Sequence, residues 1–158
     1  MTTRKLDATD RKLLELLQRD AETPLNQLAE SVHLSSTPCW RRIQRLKESG
    51  VITGQVALVD ARKINLGVTA FVAVKTNQHN PQWFEAFRAA VCAIPEVVEF
   101  YRMSGDVDYL LRVVVPDIAG YDSVYQRLIK TAGLSDVSSS FAMEELKFTT
   151  ALPLSYAT

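Results

Sequence analysis

Residues 35–54 read SSTPCWRRIQRLKESGVITG, and this stretch decides the architecture of the N-terminal part of the chain. Arg41, Arg42, Arg45 and Lys47 crowd together directly after a run of small hydroxylated residues. Ser35 or Ser36 suits a helix N-cap, Pro38 is tolerated in the first turn, and Gly50 ends the helix. At about 100° per residue, Cys39, Ile43 and Leu46 share one side. Thr37, Arg41, Gln44 and Arg45 share the other, with Trp40, Arg42 and Lys47 on the flanks. The first side is a core face, and Trp40 reads as packing against a neighbouring helix. The second side is either a solvated basic surface or one built to touch phosphate.

The residues upstream favour the second reading. Asp7 can cap a helix, and Asp10 three residues later suits its positive end. Leu13, Leu14 and Leu17 supply the apolar stripe. Thr23 followed by Pro24 signals a second N-terminus, and Leu25, Leu28, Ala29 and Val32 give the spacing of a short helix. The turn HLSS places His33 where a positive φ favours Gly, and His is among the few other residues enriched there. After Gly50, VITGQVALV reads as two β segments broken at Gly54. Three short helices and a β wing predict a winged helix-turn-helix over residues 1–60.

A connector over 61–67, within DARKINLG, precedes a change of pattern. Residues 68–76 (VTAFVAVKT) are β-branched and continuously apolar, which predicts a strand. A helix is expected over 81–94, strands over 97–104 and 108–115, a helix over 118–130 and a strand over 137–144. FTTAL, 148–152, could add a fifth strand. The order β-α-β-β-α-β is that of a ferredoxin-like domain, here assigned to residues 68–158. The fold class is therefore α+β. Helices cover one face of such a sheet, and strands this apolar predict that the other face buries against a second copy.

Composition narrows the function classes. The chain has 158 residues, 47% of them hydrophobic, with 18 basic and 18 acidic side chains. Residues 1–50 carry a net +2 and the remainder −2, so the local cluster matters more than the total. The opening MTTRKLDATD has no apolar core of a secretory signal, and no apolar run reaches the roughly 18 residues that span a bilayer. A cytoplasmic, nucleoid-associated protein without a membrane partner is expected. Cys39 and Cys92 form no CxxC pair and read as buried or half-buried thiols. His33 and His79 fall in expected turns, so neither a metal site nor a cofactor is predicted.

Three blocks, LDATDRKLLELLQRD, LAESVHLSSTPCWRRIQRLKESGVITG and SGDVDYLLRVVV, resemble the Lrp/AsnC (feast/famine) transcriptional regulators. The words TPCW, RMSGDVDYLLRV and SSFAMEELKFTTALP most resemble the DecR-like branch, whose members regulate cysteine catabolism. The resemblance implies an N-terminal DNA-binding domain and a C-terminal ligand-binding and assembly domain. It also implies homodimers that associate into octamers or related rings, and a free amino acid, cysteine among the candidates, as effector. Expected DNA contacts are Ser35, Ser36 and Thr37 at phosphate, Arg41, Gln44 and Arg45 at base edges, and Arg42 and Lys47 on the backbone.

For the effector, the resemblance points to the loop containing Met103, Ser104, Gly105, Asp106 and Asp108. Its carboxylates could accept from an ammonium group. Ser138, Ser139 and Ser140 add hydroxyl donors for a carboxylate. Many members of the family carry hydroxyls at two alternating positions of the last strand. Here the matching positions read as Val137 and Ser139, so one donor is lost. Two other readings are a winged-helix regulator without an effector and an enzyme using Asp106 and Asp108 as acid and base. No nucleophile, histidine or metal set surrounds those two carboxylates in the sequence.

Overall fold

The computed structural model describes residues 5–78, 80–130 and 133–157; His79 lies outside them. The chain divides into two compact units, Met1–Leu58 with Leu146–Thr158, and Val59–Glu145.

The first unit is built on three helices. Helix α1, Ala8–Arg19, opens with a reciprocal capping box between Asp7 and Asp10. Each carboxylate accepts from the other residue's backbone N–H, so two otherwise orphaned donors are satisfied. Helix α2, Leu25–Ser31, starts after Pro24, one residue later than Thr23-Pro24 suggested. Helix α3, Ser36–Glu48, begins after Ser35, and Gly50 (φ 74°) ends it in the left-handed region. Leu13, Leu28, Ala29, Cys39 and Ile43 form the core, with Leu16, Leu17, Leu25, Val32 and Leu34 against it. His33 turns the chain between α2 and α3 with φ 54°, the positive value expected of it. Burial pushes the Cys39 thiol pKa up, whereas Cys92 is exposed rather than half-buried.

Two expectations for this unit do not hold. Residues 53–60 form no strand in the described chain, and Val56 and Leu58 are 80% and 67% exposed. β-Branching favours an extended backbone, but a strand also needs a partner for its N–H and C=O groups. Among the described residues, no segment pairs with this one. FTTAL is likewise not a strand. The chain from Leu146 packs along α1, in the same compact unit as the three helices. Gln18 holds it with two backbone bonds: Nε2 donates to Leu152 O (3.2 Å), and Oε1 accepts from Leu152 N (2.6 Å). Arg11 Nη1 donates to Ala157 O at 3.0 Å.

The second unit is a four-stranded antiparallel sheet in the order β2-β3-β1-β4. Its strands are β1 (Val68–Thr76), β2 (Val97–Arg102), β3 (Tyr109–Val115) and β4 (Leu134–Phe141). Helices α4 (Pro81–Cys92) and α5 (Ile118–Ile129) complete the expected order. Strand β4 starts three residues earlier than expected because its residues pair with β1 despite their polarity. It is an edge strand, where solvent can meet serine hydroxyls. Ala70, Val72 and Val74 of β1 face the helices and are fully buried with Phe87, Leu111, Val124 and Leu128. The alternate residues, Phe71 and Lys75, point to the other face, where Phe71 is 40% exposed and Tyr101 51%.

Candidate nucleic-acid interface and effector site

The face of α3 opposite Cys39, Ile43 and Leu46 carries Thr37, Arg41 and Gln44. Arg41 is exposed, and its guanidinium has no hydrogen bond or ion pair among the described residues. Lys47 is exposed as well, and Gln44 is half-buried. Ser35 caps the helix through its backbone without a side-chain bond, while Ser36 Oγ donates to Asn26 Oδ1 at 2.8 Å, linking α3 to α2. Thr37 is exposed. Trp40 is 51% exposed and belongs to no core cluster. The expectation that it packs against a neighbouring helix is therefore replaced by a half-exposed indole on the flank of α3.

Arg42 and Arg45 are held differently from Arg41. Arg42 Nη1 donates to Asp7 Oδ2 (2.6 Å) and to Asp10 Oδ1 (2.8 Å). Arg45 Nη2 donates to Asp10 Oδ1 and Oδ2 at 3.1 and 3.3 Å. The side chain of Asp10 is only 5% exposed. Bonds from the Asp10 backbone N–H and then from Arg42 hold the Asp7 carboxyl pKa below its ordinary value. Sequence reading had Arg42 and Arg45 free for DNA; in the free protein both are tied to the first turn of α1.

In the second unit, the loop between β2 and β3 is closed by Met103 N donating to Asp108 O (2.8 Å). Gly105 turns it with φ 112°, a value that L side chains rarely adopt. Asp108 N donates to Val74 O, and Asp108 Oδ2 accepts from Thr76 N at 2.8 Å. Thr76 Oγ1 in turn donates to Gly133 O at 2.6 Å. Asp108 therefore fixes the loop to the end of β1, and Thr76 carries the link on to Gly133, just before β4. Asp106 is 90% exposed, and its Oδ2 accepts from Lys75 Nζ at 2.8 Å. That bond pushes the Lys75 pKa up, with Asp136 and Asp108 adding to it. Ser104 is exposed.

The three serines of β4 divide between the two faces. Ser139 lies opposite buried Val72 and shares a hydrogen bond with the Tyr121 hydroxyl. Burial raises the Tyr121 pKa. Ser138 and Ser140, opposite Ala73 and Phe71, belong to the other face. The structure thus joins Asp106 and Asp108 to Lys75 and Thr76, and Ser139 to Tyr121. It does not bring the loop and all three serines into one cluster. Sequence reading missed Lys75, Thr76, Tyr121 and Asp10. Among the described residues, no group of three or more His, Cys, Asp or Glu could hold a metal, and no helix is long and apolar enough to cross a membrane.

Residues 69–152 match the Lrp/AsnC ligand binding domain, and residues 6–53 match a winged helix-turn-helix DNA-binding domain. The chain belongs to the Lrp/AsnC family. It is 53% identical over 150 residues to the DNA-binding transcriptional activator DecR of Escherichia coli (strain K12), covering 94% of this chain and 99% of that protein. An AsnC family transcriptional regulator from Agrobacterium tumefaciens superposes with a TM-score of 0.92 at 56% identity, over 96% of this chain and 99% of that one. A Neisseria meningitidis transcriptional regulator in complex with L-Met gives 0.90 at 36% identity, over 95% and 97%. This family member is a DNA-binding, amino-acid-responsive transcriptional regulator and not an enzyme. Its first unit carries the winged helix-turn-helix match despite the unpaired 53–60 segment.

Proposed function

We propose that α3 is the recognition helix, with Arg41, Gln44 and Arg45 toward base edges. Ser35, Ser36 and Thr37 at its start, and Arg42 and Lys47 on its flanks, meet the phosphate backbone. The observation that carries this reading is the contrast between Arg41, unpaired on the outer face, and its paired neighbours Arg42 and Arg45. A free guanidinium can give two hydrogen bonds to guanine, and a glutamine amide can do the same at adenine. Trp40 adds an apolar plane beside them. On this reading residues 1–60 are the DNA-binding domain and 61–67 the linker, with the protein working in the cytoplasm at the nucleoid.

The effector is a free amino acid held at the end of the sheet by Met103, Ser104, Gly105, Asp106 and Asp108, with hydroxyls drawn from Ser138, Ser139 and Ser140 on the two faces of β4. Lys75 supplies a cation for its carboxylate, and Asp106 an acceptor for its ammonium. Cysteine is the first candidate to test, supported by the likeness to DecR and by the sulfur-containing L-Met bound to the Neisseria relative. The sheet face bearing Phe71 and Tyr101 pairs with a second copy, and dimers assemble into an octamer or related ring. An effector that binds one assembly better than another shifts DNA affinity through that difference.

The test has two arms. Arg41→Ala is expected to relax base preference at its position by about 1–3 kcal/mol, whereas Lys47→Ala weakens all duplexes alike. Equal, sequence-blind losses from both would remove Arg41 from base reading. Calorimetry against the twenty amino acids, with cysteine under reducing conditions, tests the second arm. Absence of any binding would leave the second unit with assembly alone.

A further inference from the structure

We infer that Asp10 is a positioning residue for DNA reading: its buried carboxylate sets the orientation of Arg45 on the recognition helix. The inference rests on the proposed role of α3. A carboxylate that only capped α1 would need no more than its bond from Asp7 N, which Asp10 Oδ2 accepts at 3.4 Å. Asp10 does more. Its Oδ1 accepts from Arg42 Nη1 and from Arg45 Nη2, and its Oδ2 lies 3.3 Å from the same Arg45 nitrogen. A carboxylate withdrawn from water, its side chain 5% exposed, thus receives two guanidinium groups from the adjacent helix.

The two arginines are not equivalent. Arg42 Nη1 bridges two carboxylates, those of Asp7 and Asp10, and the side chain is 27% exposed, so this one nitrogen joins α3 to α1. Arg45 gives Asp10 only Nη2; its Nη1 and Nε have no partner among the described residues, and the side chain is 36% exposed. A guanidinium is planar, so fixing one nitrogen and its plane fixes the directions of the remaining N–H groups. Asp10 leaves Arg45 donors that are aimed before DNA arrives. A residue held in its bound geometry loses less freedom on binding than one that must be ordered at the interface. The carboxylate touches no DNA in this scheme; it acts through Arg45.

A mutant cycle separates this role from a brace for the fold. The DNA probe is a duplex that the wild-type full-length protein enriches from a random-sequence pool, set against the same duplex with its bases shuffled. Affinities for both are measured for wild type, Asp10→Asn, Arg45→Ala and the double variant, well below each melting temperature. Asp10→Asn is expected to lower the ratio of specific to shuffled affinity about tenfold, and by less than twofold when Arg45 is already Ala. Asp10→Glu keeps the charge but displaces the carboxylate, and it carries the test if the Asn variant does not fold. The same Arg45-dependent loss is expected from it. An unchanged ratio, or an equal loss with and without Arg45, overturns the inference. Arg41→Ala is the separate arm: if it leaves the ratio untouched, the reading of α3 fails instead.

Discussion

Replacing Gln18 with Ala should release the segment 146–157 from α1, and the size of the effect can be worked from the geometry. The side chain makes a donor and an acceptor bond to one residue, Leu152, at 3.2 and 2.6 Å. It pairs with that backbone much as a neighbouring strand would. A hydrogen bond contributes about 0.5–1.5 kcal/mol net, and both of these are solvent-accessible, so together they are worth about 1–2 kcal/mol. That difference lowers protection of the Leu152 amide about 5- to 30-fold. Native-state hydrogen exchange followed by NMR reads it directly. Lys147 in the same segment offers a second readout, since trypsin should cut there faster once the strap is loose. Gln18→Glu keeps the acceptor but faces the Leu152 carbonyl with a carboxylate, so it should also lose protection. The reasoning is refuted if Leu152 exchanges at the wild-type rate in both variants.

Other outcomes follow from the two units separately. Phe87 is fully buried among Trp83, Phe100 and Tyr109, so Phe87→Ala should destabilise the second unit by about 3–5 kcal/mol in urea denaturation followed through Trp83 fluorescence. Trp40 and Trp83 are the two tryptophans of the chain, one in each unit. In a Trp83→Phe background, DNA should therefore quench or shift the emission of Trp40, and an unmoved spectrum would place Trp40 away from DNA. Asp7 and Glu96 both have depressed folded-state pKa values, the first through the Asp10 N–H and Arg42, the second chiefly through Arg127. Such groups add stability above their unfolded values and lose it as pH falls through the folded ones. Thermal melts should therefore fall below about pH 4, less steeply in Asp7→Asn. Lys75→Met should weaken amino-acid binding by calorimetry while leaving the fold intact, since the ion pair Lys75 makes is with the 90% exposed Asp106.

What could be read in the sequence was what is encoded locally. The Asp7–Asp10 capping box, the positive φ of His33 and the stop at Gly50 each depend on residues a turn apart. The β-branched, continuously apolar run at 68–76 is a strand with the expected bounds, since such residues suit an extended backbone in a sheet. Failures came where a partner far along the chain decides the outcome. Asp10 reads as a helix-start residue until α3 brings Arg42 and Arg45 to it from 32 and 35 positions away. Lys75 and Asp106 meet only through the register of β1 with β3. VITGQVALV has strand propensity without a strand to pair with, and FTTAL is drawn to α1 by backbone bonds that propensity does not register. Strand β4, expected over 137–144, runs over Leu134–Phe141, because its bounds are set by pairing with β1 and not by its own polar residues.

The return of residues 146–157 to α1 also orders events during synthesis. Gln18 and Leu152 are 134 positions apart, so at about 5–20 residues per second roughly seven to thirty seconds separate their appearance. Throughout that interval the helices of the first unit exist without the C-terminal segment that packs on α1, while the whole sheet domain is being made. A chain stopped after Glu145 would hold every residue of the second unit. It would nevertheless be defective in the unit that was translated first. Nascent molecules thus gain the full surface of α1 last, after the ligand-binding half is already in place.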